Sequence, residues 1–471
     1  MHENRPTIGH ILEALTDYRP TEKDPAVSTF VVDSRQAIPG SVFVAFRGES
    51  VDGHDYVADA FGRGAVAALV QHPVDDWPVI DARSAAVGTP IATPALILVD
   101  DTMSALQQVA RRWRARFNTR LIAITGSVGK TSTKELTAAV LSQRYRTLKS
   151  EGNQNNEIGV PLTLMNLRAG HERAVIEMGM YAPGEIDLLC DIARPSVGVV
   201  TMIGPVHMER LGSMEAIVAA KREMVSALPD DGVAILNMDD PRVMEMAGHT
   251  RARVFTYGLD RGADLWADQI HSMGLDGIRF TLHHGGEDLN MRVPLIGRHS
   301  VHTALRATAV GLVEGLHWSE ITAGMGAMSS QLRLVVIPGP RNSLLIDDTY
   351  NSSPDSAMAA LNLLADLDGR RIAVLGDMLE LGDAELQAHR VVGRRAADVA
   401  EALITVGPRA RTIGYEALSV GLAPEQVHMV DDAPAAVPVL EDLIQSGDVI
   451  LIKGSLGMSM DRIVTALGRM G

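Results

Sequence analysis

Ile122-Ala123-Ile124-Thr125-Gly126-Ser127-Val128-Gly129-Lys130-Thr131-Ser132-Thr133-Lys134-Glu135 is the stretch on which the reading of this chain turns. The apolar run 121–124 predicts a buried strand and 131–142 predicts a helix, so the glycines mark a strand-to-helix turn. Gly126 and Gly129 allow the backbone to approach a ligand with no Cβ in the way. The N–H groups of Gly126, Ser127, Val128 and Gly129 and the helix N-terminus then converge on one point, which suits a phosphate chain. In that setting Lys130 reaches the β- and γ-phosphates and the Thr131 hydroxyl, next to Ser132, serves Mg²⁺. The spacing is shorter than in the common P-loop, whose first glycine falls where this chain has Ile124.

The whole chain sets the frame around that turn. Its 471 residues allow two to four domains, and 46% apolar with 21% charged residues is globular composition. A net charge of −15 argues against a general nucleic-acid or membrane-surface role, since both need a positive surface. Anionic substrates must then meet local basic groups. Cys190 is the single cysteine, so no internal disulfide can form, which fits a reducing compartment. No apolar stretch approaches a membrane span and the N-terminus lacks a signal-peptide core, so a cytoplasmic location is expected.

In chain order, residues 1–103 predict a small α/β unit in which Ser34, Arg35, Asp52 and His54 fall on loops after strands. Ligand contacts gather on such loops, although solvated turns would look the same. Residues 78–94 predict a connector and 105–117 an amphipathic basic helix. The segment 104–330 alternates strands and helices, as a mainly parallel sheet covered by helices does. Within it Asn155 and Asn156 lie in a polar loop that opens a helix, and Glu177 ends an apolar strand, where ligands of open α/β sheets collect. Residues 252–295 predict antiparallel strands at a sheet edge. A third unit, 331–471, has predicted strands at 344–346, 372–375, 403–406 and 449–452 alternating with helices, a Rossmann-like pattern.

Four residues could assemble a metal and phosphate site: Thr131, Glu177, His207 and Lys221. Oxygen donors suit Mg²⁺, so Thr131 and Glu177 fit well, while Lys221 as an ammonium ion cannot ligate a cation. Asp348 and Asn351 leave a strand as a ribose or substrate loop, or simply as the approach to a helix cap. On these residues alone the chain is a P-loop enzyme that uses a nucleotide, with a hydrolase, a kinase and an ATP-dependent ligase all open.

Taken in order, the motifs resemble the Mur ligase family of bacterial cell-wall synthesis over nearly the whole chain. They are Asp33-Ser34-Arg35, Gly48-Glu49-x-x-Asp52-Gly53-His54-Asp55, the short P-loop, Asn155-Asn156-x-Ile158-Gly159-Val160-Pro161 and Glu177-Met178-Gly179. Asp347-Asp348-x-Tyr350-Asn351, Gly376-Asp377-Met378-x-Glu380-Leu381-Gly382 and Lys453-Gly454-Ser455 continue the series. The resemblance implies a three-domain α/β protein: a UDP-sugar domain at 1–103, a central P-loop ATPase-type domain at 104–330, and a Rossmann-like domain at 331–471 for the incoming amine. It implies an ATP-dependent amide ligase working through an acyl phosphate. The Gly376–Gly382 motif resembles the branch that adds D-alanyl-D-alanine to UDP-MurNAc-tripeptide, both of them small-molecule substrates.

The same resemblance implies roles. Lys130 binds the γ-phosphate, Thr131 a Mg²⁺, and Glu177 and His207 a second metal with Lys221, which matches the lysine that becomes a CO₂-derived carbamate. Arg333, Asp348, Asn351 and Thr303 fall at nucleotide contacts. Ser34 and Arg35 fall in the UDP-sugar region, and Asn155, Asn156, Lys453 and Ser455 match further substrate positions. The sequence does not fix the oligomeric state, and a monomer is the expectation. Three departures stand out: Ser300 and Thr303 replace asparagines, Leu456 replaces an arginine after Lys453-Gly454-Ser455, and Leu332 replaces the glycine before Arg333. They raise a related ligase with another amine or carrier as the alternative.

Overall fold

The computed structural model describes residues 5–48, 51–84, 91–205, 208–327 and 335–468. His207 and Arg333, two of the expected site residues, lie outside the described residues.

Three sheets carry the chain. The first has five parallel strands in the order Phe30–Val31, Val42–Val44, Ala67–Val70, Ala95–Leu98 and Val79–Asp81. The expected connector at 78–94 therefore contains an edge strand. Val79–Asp81 is half exposed, which is why no buried-strand pattern marked it.

The second sheet has nine strands in the order Glu287–Val293, Ile278–His284, Leu265–Ser272, Arg253–Gly258, Val233–Asn237, Val197–Val200, Arg120–Thr125, Arg173–Glu177 and Thr147–Lys149. Strands from Leu265–Ser272 to Thr147–Lys149 pair in parallel. The antiparallel expectation for 252–295 needs correcting at its start. Arg253–Gly258 continues the parallel sheet, and only the edge formed by 265–293 is antiparallel. Strand Arg120–Thr125 sits inside this sheet, buried on both faces, as its unbroken apolar run requires.

The third sheet has the order Val335–Pro338, Leu344–Asp348, Val449–Lys453, Arg371–Gly376, Ala402–Val406 and Val427–Val430, parallel except for the first pair. The four expected strands are the central ones. The two edge strands were missed because Val427–Val430 is only half buried and Val335–Pro338 ends in proline, so neither has a core-strand pattern.

Helix Thr102–Arg114 spans the expected boundary at 103/104 and packs on both sides of it. Gln108 Nε2 donates to Ala14 O at 2.7 Å, while Trp113 Nε1 donates to Leu167 O at 3.3 Å. One apolar cluster accordingly runs from Ile8 and Leu12 through Leu106 and Trp113 to Leu121 and Ile176. The helix is thus shared packing surface and not a linker.

Candidate functional site: a phosphate loop facing a buried carboxylate and lysine

The turn after Arg120–Thr125 is shaped by what fills the space next to its glycines. Gly126 has φ 142°, and a methyl group there would lie 1.8 Å from Thr201 Oγ1, which itself donates to Val128 O at 2.7 Å. Gly129 has φ 85° and caps helix Lys130–Leu141. Any L side chain at either position would be strained by the backbone or by its neighbour. Ser127 is locked by its N–H to Met202 O at 2.8 Å. The Lys130 ammonium folds back onto Gly126 O at 2.8 Å, and burial lowers its pKa from the ordinary lysine value. Thr131 and Ser132 occupy the helix's first turn.

Glu177 stands at the C-terminal end of Arg173–Glu177, beside that turn, and is almost fully buried. Its Oε1 accepts from Asn155 Nδ2 at 2.8 Å, whereas Oε2 is buried with no hydrogen-bond partner. The buried Lys134 Nζ is 3.9 Å from that free oxygen and donates to Gly152 O at 2.8 Å. Asn155 is therefore spent on aiming Glu177. Asn156 Oδ1 accepts from Gly159 N at 2.9 Å and so starts the next helix.

Lys221 reaches this region from helix Met214–Ser226 and is buried. Burial, and then the Lys130 ammonium, push its pKa well below the ordinary lysine value. No hydrogen bond or ion pair holds its Nζ among the described residues. Glu177, Lys130 and Lys221 are thus brought together from three segments, each within electrostatic reach of the next.

A second cluster lies at the strand ends of the third sheet. Lys453 Nζ donates to Asp348 Oδ2 at 2.8 Å and to Asn351 O at 2.7 Å. Burial raises the Asp348 carboxyl even against that lysine. Ser455 Oγ accepts from Leu379 N at 3.0 Å. Leu456 opens the next turn and is 65% exposed.

The two clusters face each other. A methyl group on Gly204 would come within 2.5 Å of Asp355 Oδ2, and one on Gly382 within 3.2 Å of Glu209 N. Between them Tyr350 lies near Asn153, and desolvation followed by the Glu177 charge raises its pKa. Tyr350, Lys134 and Arg306, on helix Ser300–Val313, were not anticipated as site residues. Lys134 carried a signal, since it follows Lys130 by one helical turn.

Ser34 and Arg35 sit apart, in the short turn after strand Phe30–Val31 of the first sheet. Ser34 is buried beside Asp59, and Arg35 points to solvent in a fork with Asp33 at 2.7 Å. That fork holds the Asp33 carboxyl at about 2. Asp52, His54 and His72 are close enough to suggest a metal. However, both His54 nitrogens are occupied, by Asp52 at 2.6 Å and by Gln71 N at 2.9 Å, so the cluster is a loop tie. Ser300 Oγ donates to Ile296 O at 2.7 Å, and Thr303 Oγ1 accepts from Arg306 at 3.0 Å.

Three family descriptions match along the chain: the Mur ligase family catalytic domain at 27–114, the Mur ligase middle domain at 124–311, and the Mur ligase glutamate ligase domain at 332–456. A UDP-N-acetylmuramoyl-tripeptide--D-alanyl-D-alanine ligase of Synechocystis is 36% identical over 94% of this chain and 93% of that protein. The chain belongs to the Mur ligase family. The ligase of the same name from Escherichia coli is 36% identical over 98% of this Mur ligase and 99% of its own length. A crystal structure of MurF from Acinetobacter baumannii is similar with a TM-score of 0.84 at 30% identity, covering 99% of this chain and 100% of that one.

Proposed function

We propose that this Mur ligase is an ATP-dependent peptide ligase that joins D-alanyl-D-alanine to UDP-N-acetylmuramoyl-tripeptide in peptidoglycan precursor synthesis. The observation that carries the reading is the meeting of the phosphate loop, the Glu177 Oε2 that accepts no hydrogen bond, and the buried Lys221, whose Nζ has no partner among the described residues, at the C-terminal ends of the central strands. Full-length likeness to ligases of that name supports the choice of substrates.

In this reading the tripeptide carboxylate attacks the γ-phosphorus of ATP and ADP leaves. The dipeptide amine then attacks the acyl carbon, loses a proton and expels phosphate. A carboxylate is a poor acyl donor, and phosphate is a far better leaving group. Positioning and charge neutralisation supply most of the remaining help. Lys130 serves the γ-phosphate, with Gly126, Ser127, Val128, Gly129 and Ser132 around the phosphates and Arg333, Asp348, Asn351 and Thr303 at the nucleotide. Ser34, Arg35, Asn155, Asn156, Lys453 and Ser455 serve the other substrates, directly or by holding the loops that do.

The donor set fits Mg²⁺: Glu177 offers a buried, free carboxylate oxygen and Thr131 a hydroxyl. Thr131 would hold one Mg²⁺, and Glu177, His207 and a carbamate on Lys221 a second; bound there, the metal would neutralise charge on the phosphoryl oxygens. Lys221 is suited to that modification. Its lowered pKa favours the neutral amine, whose nitrogen attacks CO₂, forms an N–C bond and releases a proton, leaving an anion. We further propose a cytoplasmic monomer. No helix among the described residues is long and apolar enough to cross a membrane.

A second reading, a related ligase using another amine, is favoured by the exposed Leu456 beside Lys453-Gly454-Ser455. Phosphate release with ATP, Mg²⁺ and UDP-MurNAc-tripeptide, with and without D-Ala-D-Ala and against a panel of other amines, decides between them. Release that requires both substrates supports the first reading. Turnover with another amine and none with D-Ala-D-Ala overturns it.

A further inference from the structure

Arg306 lies in the middle of helix Ser300–Val313, in the run Ala304-Leu305-Arg306-Ala307-Thr308-Ala309-Val310, where an arginine interrupts an otherwise small and apolar sequence. The side chain does not reach solvent; the residue is only 5% exposed. It turns back along its own helix and runs in behind the phosphate loop. Nε donates to His302 O at 2.9 Å and Nη2 to Thr303 Oγ1 at 3.0 Å. The Tyr257 hydroxyl lies within electrostatic reach of it and donates to Thr201 O at 2.9 Å. A methyl group built on Gly129 would lie 3.2 Å from both Nη1 and Nη2. Thr201 fills the space next to Gly126 in the same way, so a side chain from a different element backs each of the two loop glycines.

What the guanidinium lacks is an anion. Among the described residues no carboxylate forms an ion pair with it, and its hydrogen-bond partners are a backbone oxygen and the Thr303 hydroxyl. Burial lowers its pKa from the usual arginine value, yet a guanidinium stays protonated in a protein. A buried charge is kept without a partner only at considerable cost. A structure pays that cost where an anion arrives, and the nearest place for one is the concave face of the loop that Arg306 supports.

We propose that Arg306 belongs to the nucleotide-binding machinery as a charge held behind the phosphate loop, balanced by the phosphates of the bound nucleotide and not by any carboxylate of the protein. Its second task is to hold the Thr303 hydroxyl. With its oxygen accepting from Arg306, that hydroxyl keeps its proton free to donate outward. The proposal rests on the phosphate-loop reading given above.

The test combines ADP binding by titration calorimetry with urea unfolding of the nucleotide-free protein, for wild type, Arg306→Met, Arg306→Lys and Lys130→Ala. Arg306→Met is expected to weaken ADP binding roughly tenfold or more, the scale of one charge-assisted hydrogen bond. Its urea midpoint without nucleotide should be unchanged or higher, because an uncompensated charge has gone. Arg306→Lys, which keeps the charge, should recover most of the lost affinity. A lower midpoint, or failure of Arg306→Met to fold, would make the arginine a structural support and overturn the proposal. So would Arg306→Lys being as weak as Arg306→Met, since shape and not charge would then matter. If ADP fails to bind the wild type, the phosphate-loop reading itself falls. If Lys130→Ala loses ADP while Arg306→Met keeps it, only the role of Arg306 falls.

Discussion

Lys453 donates from its Nζ to the backbone oxygen of Asn351 at 2.7 Å, tying the end of strand Val449–Lys453 to the loop that follows Leu344–Asp348. The same ammonium holds Asp348 Oδ2 at 2.8 Å. One buried lysine thus sets the loop that carries Asp348, Tyr350 and Asn351 toward the central sheet. Lys453→Met strands a mostly buried carboxylate and should cost about 3 kcal/mol in stability, the lower end for breaking a buried pair. It should also raise the KM for ATP. Urea unfolding and initial rates check both, and adding Asp348→Asn should return part of the stability but not the KM.

Asn155→Ala removes the amide that fixes Glu177 Oε1 at 2.8 Å. A carboxylate left with no hydrogen bond and only the Lys134 ammonium at 3.9 Å is expected to lose its orientation, at about 1–3 kcal/mol for the unsatisfied group. Activity should fall at least tenfold, and the Mg²⁺ concentration for half-maximal rate should rise. An unchanged Mg²⁺ requirement would separate Asn155 from the metal and return it to substrate contact.

Lys221→Ala should be inactive and regain some turnover with added short carboxylic acids, which supply the missing anion in the space the side chain leaves. Absence of rescue, with the variant folded by circular dichroism, would count against the carbamate. Lys130→Ala should also be inactive, but no carboxylic acid should restore it.

His283 sits between Asp268 at 2.9 Å and Asp288 at 2.6 Å on the antiparallel edge. Burial alone would lower its pKa, but the hydrogen bonds to the two carboxylates outweigh it and the net shift is upward. A raised folded-state pKa means the stabilisation is fully present below the unfolded value near 6.5 and is lost as pH rises through the folded value. Melting temperatures measured across that window should fall more steeply with pH in the wild type than in His283→Gln.

Cys190 is buried, and burial pushes its thiol pKa upward, away from the reactive thiolate. A thiol reagent such as DTNB should label nothing in the native protein and one thiol in urea.

Much of the site was legible in the sequence because it depends on local geometry. A glycine turn between an apolar run and a helix turns backbone N–H groups toward one point, which suits a phosphate, and a carboxylate closing an apolar strand lies at a sheet end. The alternation of strands and helices determined three α/β units for the same reason: period and punctuation are local properties. Arg306 left only a faint trace, a charge among alanines, and nothing in the residues 301–310 says which loop it meets.

The tertiary structure decided the rest, since contacts between distant segments depend on which strands become neighbours. Asn155 reads as a polar loop residue, and only the pairing of Thr147–Lys149 with Arg173–Glu177 makes it the support of Glu177. Lys453 reads as a strand-end lysine, and only the parallel register with Leu344–Asp348 turns it into the clamp on Asn351. Lys221 is a helix lysine until packing removes it from water and places the Lys130 charge nearby. By itself the sequence determined which chemistry each segment can offer. The packing decided which of those groups face one another, because burial and distance, and not residue type, set a group's charge and orientation.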